Sequence, residues 1–295
     1  MNVLVTNNTL SGLGGSETYA YTLIRELHSR PDINVTGFSR NIGMIGNKLK
    51  EQGINIINKA VGDYDLILAS HTTTIPFIKG LKGTKIQTCH GIYDNAEQPV
   101  MGMDGYVGIS QEVYDHLYEK GIVSTVIHNG IDCDRFKSTT PLNKELKSIL
   151  SLTHSVELNG MLQNVCDKMG IKLKLLNKLK NPIFNVEDEI NKSDLVVSLG
   201  RGVYESLACG RNVLILDKRP YIKAPPLGDG LIFPNNMNDF IKNNCSGRYS
   251  YRNYNEELIE AELLKYDSSL GDFGREYALK NLNIKHQADK YLNIL

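Results

Sequence analysis

The chain has 295 residues, with 33 Lys and Arg balanced by 33 Asp and Glu. Zero net charge supplies no global field to draw the protein to nucleic acid or a membrane surface, and no stretch reaches the roughly 18 apolar residues that a membrane span needs. The 41% hydrophobic content supports folded cores, and the length suits two domains of about 130–150 residues each.

The five cysteines, Cys89, Cys133, Cys166, Cys209 and Cys245, are scattered with no C-x-x-C pair, as expected of reduced thiols in a cytoplasmic protein. Residues 1–6 read directly as a strand, so no signal peptide is expected. A polar, glycine-bearing loop follows over 7–15. Residues 17–29 have helical spacing, with Tyr21, Ile24, Leu27 and His28 on neighbouring turns. Gly12 and Gly14 suggest a dinucleotide fingerprint, but its third glycine would fall on Glu17, so that pattern fails. Alternation of strand and helix continues: strands over 35–38, 54–57, 65–70, 85–89, 106–109 and 124–127, helices over 45–52, 74–81 and 110–120, the last with Ser110 as N-cap. This order predicts a parallel, doubly wound sheet. His90-Gly91 closes the strand over 85–89, at the strand end where open α/β sheets place ligands. His71 ends the preceding strand and reads equally well as a satisfied strand-end histidine.

Residues 137–147 read as a polar linker, followed by a strand over 148–152, a helix over 160–169, a strand over 172–176 and an acidic helix over 186–191. The apolar run Leu195 to Leu199 suits a strand buried on both faces. Gly200-Arg201-Gly202 is expected to turn the chain into a short helix over 203–209, with a strand over 213–216 after Gly210. A helix starting beyond a glycine turn at a strand's C-terminal edge directs N–H groups outward, which favours a phosphate. Arg201 adds a fixed positive charge there, and Glu205 can accept ribose hydroxyl hydrogens. The same spacing also describes an ordinary αβ crossover. Residues 217–230 read as a stiff loop, 238–243 as a helix, and 244–256 as an exposed loop.

Several segments resemble family 4 glycosyltransferases, retaining enzymes of the GT-B fold. Glu205-Ser206-Leu207-Ala208-Cys209-Gly210-Arg211-Asn212-Val213 is similar to the family's donor-motif ending. Gly14-Gly15-Ser16-Glu17 resembles its G-G-x-E loop, and His90-Gly91 its H-G element. Asn129-Gly130-Ile131-Asp132-Cys133-Asp134-Arg135-Phe136 resembles its N-G-[VI]-D-x-x-x-F segment, and Asp229-Gly230-Leu231-Ile232-Phe233-Pro234 its D-G-L-L-V-P strand. The family's earlier glutamate falls on Val197, and the Arg and Lys that hold the donor diphosphate have no counterpart over 153–160. The chain therefore reads as a short variant with a G-R-G-x-x-E motif.

The resemblance implies two Rossmann-like domains facing a cleft: an acceptor domain over 1–136, joined by a returning helix within 276–295, and a donor domain over 137–275. It implies that Gly14, Gly15, Gly200, Arg201, Gly202, Val203 and Glu205 bind a nucleotide sugar, UDP-linked, with the base and ribose near 177–185 and Glu205. Arg201 and Glu205, with His90, are the expected catalytic residues; Glu17, His90 and Asn129 are the expected substrate contacts. No cofactor or metal is expected, and no D-x-D motif is present. The expected reaction transfers a hexose or pentose with retention to a hydroxyl acceptor, a glycan first and a hydroxymethylated DNA base second. A GT-B-shaped nucleotide-sugar epimerase and a non-catalytic nucleotide-sugar binder are the alternatives.

Overall fold

The computed structural model describes residues 1–177, 182–220, 222–223 and 225–294. The chain divides into two units: Met1–Gly130 with Ile284–Leu295, and Ile131–Asn283.

Unit 1 is built on a seven-stranded sheet. Its strands are β1 (Asn2–Thr6), β3 (Asn34–Phe38), β5 (Asn55–Ile57), β6 (Leu66–Ser70), β7 (Thr84–Cys89), β8 (Gly105–Gly108) and β9 (Thr125–Val126). The order is β5-β3-β1-β6-β7-β8-β9, and every pairing is parallel. The direction of strand addition reverses between β1 and β6, which makes the C-terminal ends of these two strands the switch point of the sheet. A second, two-stranded parallel pair joins β2 (Thr9–Leu10) to β4 (Asn41–Ile42) beyond that edge. Four helices fall between the strands: α1 (Gly15–His28), α2 (Met44–Glu51), α3 (Ile75–Ile78) and α4 (Gln111–Glu119). The Ser110 hydroxyl caps α4 by accepting from the Val113 N–H. The helix expected over 74–81 is shorter, a 3-10 turn at Thr72–Thr74 running into α3.

Unit 2 has a six-stranded sheet. Its strands are β10 (Ser148–Ser151), β11 (Lys172–Leu175), β12 (Leu195–Ser198), β13 (Asn212–Asp217), β14 (Leu227–Leu231) and β15 (Arg252–Asn253), in the order β11-β10-β12-β13-β14-β15. The switch point lies between β10 and β12. β14 and β15 run antiparallel, with a register shift between Ile215 and Leu216, so this sheet is not parallel throughout. The residues expected to form a loop up to 230 thus contribute strand β14, paired on both sides. Around the sheet lie α5 (Val156–Met169), α6 (Val186–Asn191), α7 (Arg201–Ala208), α8 (Met237–Phe240), α9 (Glu256–Leu263) and α10 (Leu270–Tyr277).

The division of the chain departs from the expected 136/137 boundary for a packing reason. Ile131, Cys133 and Phe136 are buried in one core cluster with Val203, Leu207 and Val213, so the crossover segment belongs to unit 2. Ala278 and Leu282 join the same cluster, and only α11 (Ile284–Leu292) returns to unit 1. There the Tyr291 hydroxyl lies 2.8 Å from the Tyr19 hydroxyl and 3.0 Å from Thr88 Oγ1. Arg30 also ties α11 down, to Asp289 Oδ1 at 2.5 Å and the Lys285 carbonyl at 2.9 Å.

Candidate functional site

In unit 2 the sequence candidates gather where β12 gives way to α7, beside the switch point. The helix begins at Arg201, earlier than expected, so Arg201 and Gly202 lie in its first turn. The turn itself is made by Gly200, at φ 56°, a conformation that side chains with a Cβ rarely adopt. Gly202 is required by proximity instead: a Cβ there would sit 2.2 Å from Ser198 Oγ. The Val203 N–H, expected to face phosphate, turns back to the Gly200 carbonyl at 3.0 Å. The Gly200 N–H donates to the Cys245 carbonyl at 2.9 Å. Among the described residues the Gly202 N–H makes no backbone hydrogen bond, as is usual for an N–H in the first turn of a helix.

Arg201 and Glu205 meet each other. Arg201 Nε donates to Glu205 Oε1 at 2.8 Å, one helical turn apart, and both residues are 9% exposed. Burial pushes the Glu205 carboxyl up from its ordinary range, against the pull of Arg201 and Arg135. Burial likewise lowers Arg201, with Glu205 acting in the opposite sense. Arg135, from the crossover segment, holds Glu187 through two bonds of 2.8 Å and stacks on Phe184 at 4.4 Å. The region around the start of α7 thus carries two guanidinium groups and two carboxylates already ordered in pairs. The far end of α7 is fixed by Arg211, 1% exposed, whose donors reach the carbonyls of Cys209, Ser193 and Thr140.

Two features beside α7 escape the sequence reading. The segment expected as an exposed loop over 244–256 folds inward: Cys245, Ser246 and Arg248 are buried. Asp229 accepts from the Gly247 N–H at 2.9 Å and the Ser250 N–H at 2.8 Å, which satisfies the polar backbone that polar composition normally leaves in water. Asn244 and Cys245 take φ 54° and 46°, unusual for residues with a Cβ, and the buried Ser246 hydroxyl has no hydrogen-bond partner. The other feature is Lys218-Arg219, directly after β13; two cations at a strand's C-terminal end are a legible signal. Lys218 lies 3.4 Å from Glu157 in the first turn of α5, and Arg219 pairs with Asp217 at 2.5 Å. The expected base and ribose region, 177–185, includes residues 178–181, which lie outside the described residues.

In unit 1, Gly14 is the N-cap of α1, and Glu17 occupies its first turn. A Cβ on Gly14 would sit 2.1 Å from Glu17 Oε2, so glycine allows the carboxylate to fold over the helix start; a Cβ on Gly15 would meet nothing. His90, half-buried after β7, packs its ring edge-on to Tyr19 at 4.8 Å and stacks on His71 at 5.7 Å. His90 Nε2 lies 3.1 Å from Ser70 Oγ. Burial first, then the neighbouring His71, lowers His90 to about 3. Burial also lowers His71, although Glu17 and Asp94 act to raise it. His71 carries φ 71°, and its Nδ1 accepts from the Asn8 N–H at 3.4 Å. The structure therefore stacks His71 and His90 together, with the Glu17 charge acting on His71; no hydrogen bond joins Asn129 to this group among the described residues. Asn129 is 7% exposed, and its Oδ1 is without a donor. Among the described residues, no group of three or more His, Cys, Asp or Glu side chains is placed to hold a metal ion.

No family model and no curated protein matches the sequence. Solved structures do. HepE of Anabaena, in complex with UDP and glucose, is similar at 12% identity with a TM-score of 0.67, over 99% of both chains. An alpha-glucosyltransferase in complex with UDP and a 13-mer DNA containing an HMU base is similar at 10% identity with a TM-score of 0.58, over 100% of this chain and 99% of that one. A UDP-GlcNAc 2-epimerase from Neisseria meningitidis, bound to UDP-GlcNAc, is similar at 12% identity with a TM-score of 0.57, over 99% of both. The fold is GT-B.

Proposed function

We infer that this chain is a glycosyltransferase that moves a sugar from a UDP-linked donor to a hydroxyl acceptor, as a short variant of the family 4 pattern. The observation that carries the reading is the β12–α7 junction. A parallel strand ends at a switch point, a glycine at φ 56° starts a helix, and Arg201 and Glu205 lie within the first turns. The whole-length likeness to HepE, whose structure holds UDP and glucose, supports it.

In this reading unit 2 takes the donor, with diphosphate on the Gly202 N–H and the Arg201 guanidinium and ribose on Glu205. Charge builds on the diphosphate as the sugar–phosphate bond breaks, and donors already aimed at that charge lower the barrier. Arg201 must then exchange part of its contact with Glu205 for phosphate oxygens, which a guanidinium with several donors can do. Unit 1 takes the acceptor, beside His90. The reaction is read as a hexosyl or pentosyl transfer with retention, without a metal, in the cytoplasm.

The epimerase reading is favoured by the likeness to UDP-GlcNAc 2-epimerases and by the Glu17, His71 and His90 group. Incubation with a panel of nucleotide sugars separates the readings. Free UDP that appears only with an acceptor supports the transferase. UDP and an altered sugar without acceptor indicate a hydrolysing epimerase, and binding without turnover indicates a non-catalytic binder.

A further inference from the structure

A cavity of about 340 Å³ opens at the switch point of the unit 1 sheet, within the size range of small-ligand sites. Its walls come from three strand ends: Asn7 and Asn8 after β1, Arg40 and Asn41 around the end of β3, and Thr73 and Phe77 after β6. Three features give it chemistry. First, Asn7 is 1% exposed, and its Oδ1 has no donor. Its amide nitrogen donates to the Thr9 carbonyl at 2.7 Å, which fixes which end of the amide is oxygen, so the orphan atom is a buried acceptor without a donor. Second, the exposed guanidinium of Arg40 stacks on the Phe77 ring at 5.0 Å, which holds its planar fork in place. Among the described residues that line the cavity none is acidic, and Arg40 is the charged one. Third, the cavity wall is tied to the histidine group by hydrogen bonds: Asn8 bonds both Thr73 Oγ1 at 2.7 Å and His71 Nδ1 at 3.4 Å.

We propose that this cavity binds a small hydroxylated anion, a sugar or polyol carrying one phosphate or carboxylate, with the anion on Arg40 and a hydroxyl hydrogen on Asn7 Oδ1. A guanidinium and an anionic oxygen form the stronger, charge-assisted class of hydrogen bond. The buried amide oxygen gains the partner it lacks, which offsets a desolvation cost already incurred in folding. One cation in a small, half-open cavity suits one anionic group; a nucleic-acid backbone is normally tracked by several. Identification of this ligand as the sugar acceptor rests on the transferase reading, whereas the binding itself does not.

The test is calorimetric titration of the full chain, without donor, using glucose 6-phosphate, glucuronate and glucose. Both anions are expected to bind at least about tenfold more tightly than glucose. Arg40→Gln, an exposed substitution, is expected to remove that margin while circular dichroism and UDP affinity stay unchanged. Inorganic phosphate is expected to compete with glucose 6-phosphate. Equal affinity for the three sugars, no binding of any, or a margin that survives Arg40→Gln would each overturn the inference. Loss of UDP binding with the anion margin intact would overturn the transferase reading and leave this site standing.

Discussion

Arg201 and Glu205, one turn apart on α7, form an ion pair of 2.8 Å that is almost fully withdrawn from water. Residues expected to meet phosphate and ribose separately thus hold each other. Removing one partner of a buried pair leaves an uncompensated charge, a loss of about 3–5 kcal/mol. Arg201→Ala and Glu205→Gln are each expected to lower urea stability by an amount in that range. The double variant is expected to lose less than the sum, because the two share one interaction. Additive losses would show that the pair is not coupled.

His90 makes stability depend on acidity. Its folded value lies near 3, and its ordinary value is 6.5. Between these limits the unfolded chain binds the proton and the folded chain does not, so stability falls as pH drops from 6.5 towards 3. His71 is displaced in the same direction and adds to the slope. Urea midpoints of the wild type are expected to decline across this window, with a shallower decline in His90→Gln. Parallel profiles would contradict the placement of a neutral His90 in the fold.

Tyr291 returns from the C-terminal helix to serve two hydroxyls, Tyr19 at 2.8 Å and Thr88 at 3.0 Å. Tyr19 in turn packs against His90. Tyr291→Phe keeps the ring and strands two buried groups, which costs about 1–3 kcal/mol. Thermal or chemical denaturation is expected to show that loss, and an unchanged midpoint would remove Tyr291 from the support of the histidine group.

Gly202 packs against Ser198, so Gly202→Ala places a methyl 2.2 Å from Ser198 Oγ. The single variant is expected to be destabilised by about 1–3 kcal/mol, as overpacked sites are. Adding Ser198→Ala removes the obstructing oxygen and is expected to restore most of the midpoint. No recovery in the double variant would place the strain elsewhere in α7.

The parallel strands of both sheets were legible because buried apolar runs such as Leu195 to Val197 have few alternatives, whereas β14 and β15 fell in stretches read as loops. The Ser110 cap was legible for a similarly local reason. What escaped depended on distant partners. Gly200-Arg201-Gly202 looks like a three-residue turn, yet only Gly200 leaves the helical region, and the Val203 N–H closes back on it. Ser155 caps α5 and starts the helix before Gly160, where the apolar spacing alone began it. Residues 245–248 look solvated from their composition and are buried because Asp229 satisfies them from another strand. The candidate site was legible in its residue types, but the Arg201–Glu205 pairing and the φ 71° histidine beside His90 require coordinates.

The central claim is that the start of α7 receives the diphosphate of a nucleotide sugar. Calorimetric titration of UDP into the wild type and into Arg201→Ala, with folding checked by circular dichroism, tests it most directly. Saturable one-to-one binding that weakens at least about tenfold in the variant is the expected result. Equal affinity in the two folded proteins, or no UDP binding by the wild type, would contradict it.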